Sequence, residues 1–140
     1  MKTPTIERIV VGYDGSEHAE AALEMAATLA RQYSASVVVV SAFSHQSRIT
    51  EPGPEDDREI FDARRLAERG ARKLQQDGIT AEADALEGPA AEAILNAAEA
   101  RRADLVVVGS RGMGQFKGLL LGSTSDRVVQ HAHVPVLVVR

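Results

Sequence analysis

Val37, Val38, Val39 and Val40 stand in one unbroken β-branched run, without the polar alternation of a strand that has one wet face. Such a strand is buried on both sides, and sheets buried on both sides are parallel sheets covered by helices. The remaining apolar runs agree. The spacing predicts strands over 6–11, 35–42, 79–86, 105–108 and 136–139. Helical periodicity falls between them. Ser16 caps a first helix that turns Leu23, Ala26, Leu29 or Ala30, and Tyr33 inward. A second helix covers 55–76 with Ile60, Ala63, Ala67 and Leu74 inside. A third starts at Gly88-Pro89, with Pro at N1, and carries Ile94 and Ala97 inward. A fourth covers 123–131. Strands alternating with helices predict an α/β fold with right-handed crossovers and helices on both faces. The strand over 79–86 alternates small apolar residues with Thr80, Glu82 and Asp84, so it is expected at an edge. The segment 43–54 is long, polar and aperiodic, and is expected to be a lid over a ligand.

The fourth strand ends in a chemical signal. After Val106-Val107-Val108 come Gly109, then Gly112, then Gly122-Ser123-Thr124 at the start of a helix. Glycines allow a backbone to approach an anion closely, and a helix start supplies unpaired N–H donors and positive potential. The spacing is not a Walker loop, because Lys117-Gly118-Leu119 has the wrong order. It is not a dinucleotide fingerprint either, because Lys117 stands where the third glycine belongs. Between Gly109 and Arg127, the cations Arg111, Lys117 and Arg127 outnumber Asp126, on a chain of net charge −4. That local balance favours a polyphosphate. In open α/β sheets ligands sit at the carboxyl ends of the strands, where Asp14 and Gly109 both fall.

Composition removes other classes. The chain has 140 residues, 44% hydrophobic and 26% charged, and is expected to be one domain over 1–140. Its acidity argues against a non-specific grip on nucleic acid or an acidic membrane. It has no cysteine, hence no disulfide and no thiolate chemistry. With no long apolar span and no signal segment, a cytoplasmic location is expected. His131 and His133 suit a helix C-terminus better than a metal centre.

These residues together resemble the universal stress protein family over nearly the whole chain. The resemblance rests on Val10-Val11-Gly12-Tyr13-Asp14-Gly15-Ser16, on Gly88-Pro89, and on Ala103 to Gly112. It is completed by Gly122-Ser123-Thr124 and by Val134-Pro135-Val136-Leu137-Val138-Val139. The glycine spacing resembles the family's ATP-binding branch. The resemblance implies a Rossmann-like five-stranded parallel sheet of order 3-2-1-4-5, bound ATP with magnesium, and a homodimer paired through the C-terminal strand. It implies that Asp14 serves the ribose or the metal. It assigns ribose and phosphates to Gly109, Gly112, Gly122 and Ser123, and Arg111 and Thr124 are further candidate nucleotide-binding residues beside them. A small apolar residue closing strand two would touch adenine. Many relatives have His-Val there, whereas this chain has Ser41-Ala42, and Ala42 takes the role.

Hydrolysis needs oriented metal ligands and a placed nucleophile, and only Asp14 is identifiable at that edge. The expected function is therefore a nucleotide-dependent regulatory switch in a stress response. The alternatives are a slow Mg-dependent ATPase, a phosphotransfer protein acting through Ser110 or Ser123, and a nucleotide-free interaction module.

Overall fold

The computed structural model describes residues 5–44, 54–111 and 121–140. The expected lid over 43–54, the phosphate glycine Gly112 and the basic Lys117 lie wholly or largely outside these residues. The elements follow in the order β1 (Arg8–Gly12), α1 (Glu17–Tyr33), β2 (Ser36–Phe43), α2 (Pro54–Gln76), β3 (Ala81–Glu87), α3 (Ala90–Ala100), β4 (Leu105–Gly109), α4 (Ser123–His131) and β5 (Val136–Val139). The sheet is parallel, in the order β3-β2-β1-β4-β5. This is the Rossmann-like α/β fold that the sequence predicts.

The valine runs explain the layering. Successive side chains of a strand point to opposite faces. Val37 and Val39 join one core with Ile9, Val11 and Val107, under α1 and α2. Val38 and Val40 join the other with Val10, Val106 and Val108, under α3 and α4. Each fully buried valine or isoleucine contributes about 1.5–3 kcal/mol. Helix α1 lies close to the sheet because the face it buries is largely alanine, from Ala19 through Ala22 and Ala26 to Ala30.

Local chemistry sets the ends. Ser16 caps α1, its hydroxyl accepting the Ala19 N–H at 3.2 Å. Ser34 closes the helix in the left-handed region. Tyr33, expected to face the sheet, is 53% exposed, because the helix has run past the sheet by its last turn. Pro89 is the N-cap of α3 and not its first helical residue. The β1–β4 register is pinned at its base by Asp104. One of its carboxylate oxygens accepts the N–H groups of Glu7 and Arg8 at 2.8 and 3.0 Å, and its own N–H donates to the Arg8 C=O at 2.8 Å.

Candidate functional site

Between β1 and β4 the sheet order reverses direction, and the chain leaves both strands toward opposite faces. A cleft of about 140 Å³ opens at that point, over the carboxyl ends of the strands. Its walls come from the turn after β1, the ends of β2 and β4, and the starts of α3 and α4. Asp14, Ala42, Gly109, Arg111, Gly122 and Thr124 all line it. Ser123 is exposed, opens α4, and lies outside the lining, whereas the next two residues are part of it.

The turn after β1 is built by three consecutive residues. The Tyr13 N–H continues the ladder onto the Val40 C=O at 2.8 Å. Asp14 then folds back, one carboxylate oxygen accepting the Ser16 N–H at 2.9 Å. Gly15 takes φ +77°, a conformation that favours glycine. The result places the exposed Asp14 carboxylate on the rim, with its second oxygen clear of that turn bond.

The closed end of the cleft is apolar, formed by Val40, Ala42, Ile94, Ala90, Val108 and Leu66. Ser41 is 2% exposed and donates its hydroxyl to the Tyr13 C=O at 2.7 Å. A polar residue inside a doubly buried strand needs such a partner. The bond occupies the carbonyl that would otherwise continue the β1–β2 ladder. Ala42 faces β1 with the same parity as Val40, but β1 has already ended. The peptide edge of Ala42 is thereby turned toward the cleft.

Electrostatics differ at the three helix starts around the cleft. Ser16 caps α1, and Glu17 and Glu20 occupy its first turn. In α3 the Glu92 carboxyl is held below its ordinary value by the Arg127 hydrogen bond and then by its own backbone N–H. Helix α4 begins at Gly122 with no side-chain cap among the described residues. Its first-turn N–H groups and dipole lie beside Gly109 and Arg111, so this end of the cleft suits an anion.

Tyr13 forms the floor on the α2 side. Its hydroxyl donates to Glu20 and accepts from Arg69 at 3.2 Å, while Lys73 donates to the other Glu20 oxygen at 2.8 Å. Burial raises the Glu20 carboxyl, but the hydrogen bonds from Lys73 and Tyr13 and the charges of Lys73 and Arg69 outweigh it, so it titrates below its ordinary value. Gly70 admits the ring, since a Cβ there would sit 3.2 Å from it.

Sequence reasoning missed Tyr13, Ser41, Leu66, Ile94 and Ser125 as lining residues. Ser41 carried a readable signal, as a lone hydroxyl in an apolar run. Leu66 did not, because the charged surface of α2 hid which of its apolar residues reach the cleft. Among the described residues, no group of three or more His, Asp or Glu side chains is placed to hold a metal ion. No helix among them is long and apolar enough to cross a membrane.

The universal stress protein family model matches residues 5–140 of the chain. A universal stress protein of Thermus aquaticus is 39% identical over 140 residues, covering 94% of this chain and 97% of its own length. A universal stress protein of Lactobacillus plantarum superposes with a TM-score of 0.83 at 22% identity, over 99% of this chain and 100% of the other. A universal stress protein solved in complex with cAMP superposes with a TM-score of 0.75 at 25% identity, over 97% of this chain and 98% of that one.

Proposed function

This chain belongs to the universal stress protein family, and on that premise we propose that it binds an adenine nucleotide, ATP with its magnesium ion, and acts as a nucleotide-dependent switch. The observation that carries the reading is the two-ended cleft. One end is apolar and closed by Ala42 and Ile94, and the other is the uncapped start of α4 beside Gly109 and Arg111. A base suits the first end and a phosphate chain the second. The peptide edge of Ala42 offers one donor and one acceptor, which complements the amino group and ring nitrogen on the pairing edge of adenine. The relative that holds cAMP supports the same choice of base.

The residues present fit the metal as well. Magnesium is held by one or two carboxylates together with phosphate oxygens. Asp14 supplies one carboxylate at the rim, and is the only carboxylate lining the cleft among the described residues. When bound, the ion would neutralise phosphate charge. A single carboxylate can share such an ion but does not also position a water, so we assign a switch and not an ATPase. We further propose that two copies pair through β5, and that the protein works in the cytoplasm.

The test is direct. Protein purified without added nucleotide is denatured, and the released small molecules are identified by mass spectrometry. Calorimetry then compares ATP with magnesium against GTP. Release of an adenine nucleotide, or tighter binding of ATP than of GTP, supports the reading. No released nucleotide and no heat with ATP overturns it. Phosphate release at a sustained rate would replace the switch with an ATPase.

A further inference from the structure

Ala42 carries an N–H and a C=O that the sheet leaves unpaired. The even-numbered residues of β2 bond toward β1: the Ser36 N–H donates to the Glu7 C=O at 2.9 Å, and the Val40 C=O accepts from the Tyr13 N–H at 2.8 Å. The odd-numbered residues bond toward β3, the Val37 N–H donating to the Thr80 C=O at 2.9 Å. This alternation aims the Ala42 N–H at the Tyr13 C=O, and the Ala42 C=O at the Gly15 N–H. Among the described residues neither bond forms. Asp14 and Gly15 turn the chain out of the ladder, and the Tyr13 C=O accepts the Ser41 hydroxyl at 2.7 Å instead. A carbonyl oxygen only accepts, so the direction of this bond is fixed.

Ser41 and Ala42 both line the cleft, and Ser41 is buried. A carbonyl in such a place needs a donor. Without the Ser41 hydroxyl, the donor that the register brings to Tyr13 is the Ala42 N–H. The Ser41 bond thus decides whether that N–H belongs to the sheet or to the cleft. From this geometry we infer that Ser41 is a positioning residue that sets base specificity: by satisfying the Tyr13 C=O, it keeps the Ala42 N–H open to a ring-nitrogen acceptor. It acts through the neighbouring peptide and not by touching the base. The inference rests on the nucleotide reading above, and traces its choice of base to a side chain that the glycine spacing does not include.

Calorimetry with ATP and with 1-deaza-ATP isolates the bond in question, because the analogue carries a C–H where ring nitrogen N1 of adenine accepts. The parent should bind ATP roughly tenfold more tightly than the analogue. In Ser41→Ala the Ala42 N–H closes onto Tyr13, and the preference should shrink to about twofold or less. Ser41→Thr keeps the hydroxyl and should hold the preference to within about threefold of the parent. Amide exchange followed by NMR reads the same N–H without any nucleotide. The Ala42 amide should exchange much faster than that of Val40 in the parent and be protected in Ser41→Ala. Thermal melting confirms the fold of each variant, and the parent's own Ala42 amide keeps the test readable if Ser41→Ala melts early. An Ala42 amide as protected as Val40 in the nucleotide-free parent overturns the inference. So does a full preference for ATP in Ser41→Ala. If the parent binds ATP and the analogue equally, the nucleotide reading stands and only the role of Ser41 is overturned. If the parent binds neither, the nucleotide reading fails and this one falls with it.

Discussion

Gly109 and His18 meet main chain to main chain: a Cβ on Gly109 would lie 2.8 Å from both the carbonyl carbon and the carbonyl oxygen of His18. The glycine at the end of β4 therefore makes room for α1, whatever it also does for a ligand.

Replacing Gly109 by alanine should then cost about 1–3 kcal/mol, because backbone cannot swing aside as a side-chain tip can. Gly12 makes the useful contrast. A Cβ there would meet Cδ1 of Ile94 at 2.5 Å, the far end of a flexible chain. Gly12→Ala should lose less stability than Gly109→Ala, yet push Ile94 into the cleft and weaken ATP. Urea unfolding and ATP titration of the pair would show it. Equal stability losses would mean that α1 yields as easily as Ile94 does.

Ala42→Leu should fill the apolar end of the cleft. ATP affinity is expected to fall at least about tenfold, since overfilling a close-packed site typically costs 1–3 kcal/mol. The melting temperature should hardly move, because Ala42 is only half-buried. Unchanged affinity would place the base elsewhere.

The Tyr13–Glu20–Lys73–Arg69 cluster makes a prediction about acid. The folded Glu20 carboxyl titrates below its ordinary value of 4.5. Its contribution is complete above about pH 4.5 and is lost as pH falls through the depressed folded value. Glu20 is partly exposed, which screens the effect and keeps it small. Glu20→Gln should melt lower than the parent at pH 7, and the gap should narrow as the pH falls below about 4.5. A constant gap across that range would show that the carboxylate charge contributes nothing.

Strand β5 is half-buried along its length, with Leu137 and Val139 on one core and Val136 and Val138 on the other. Its free edge is expected to pair antiparallel with the same edge of a second copy. Val136→Lys with Val138→Lys should give a monomer by sedimentation that still binds ATP. A dimer that survives the double substitution would send the interface elsewhere.

The layers were legible because each valine run records burial on two faces, and helical spacing between runs leaves little choice but crossovers. The ends of elements were less so. Pro89 caps α3 where a position inside the helix was expected, since proline suits both places and tertiary packing chooses. In the site, Asp14, Gly109 and Gly122 were visible as turn residues at strand ends and helix starts. Leu66 and Ile94 were not visible as lining residues, because a lining residue is set by which neighbours the sheet brings together. Asp104 was quotable as part of a motif, but its clamp on Glu7 and Arg8 spans more than ninety positions and leaves no local trace.

The two sheet edges differ in kind. At β3, the Gln75 side chain already donates to the Ala81 C=O at 2.9 Å, and Arg101 straddles Glu82 and Asp84. Two copies joined at β5 by a two-fold axis would turn only these obstructed borders outward. Growth by strand addition would end at the pair, so the same edge that invites a partner cannot seed a fibre.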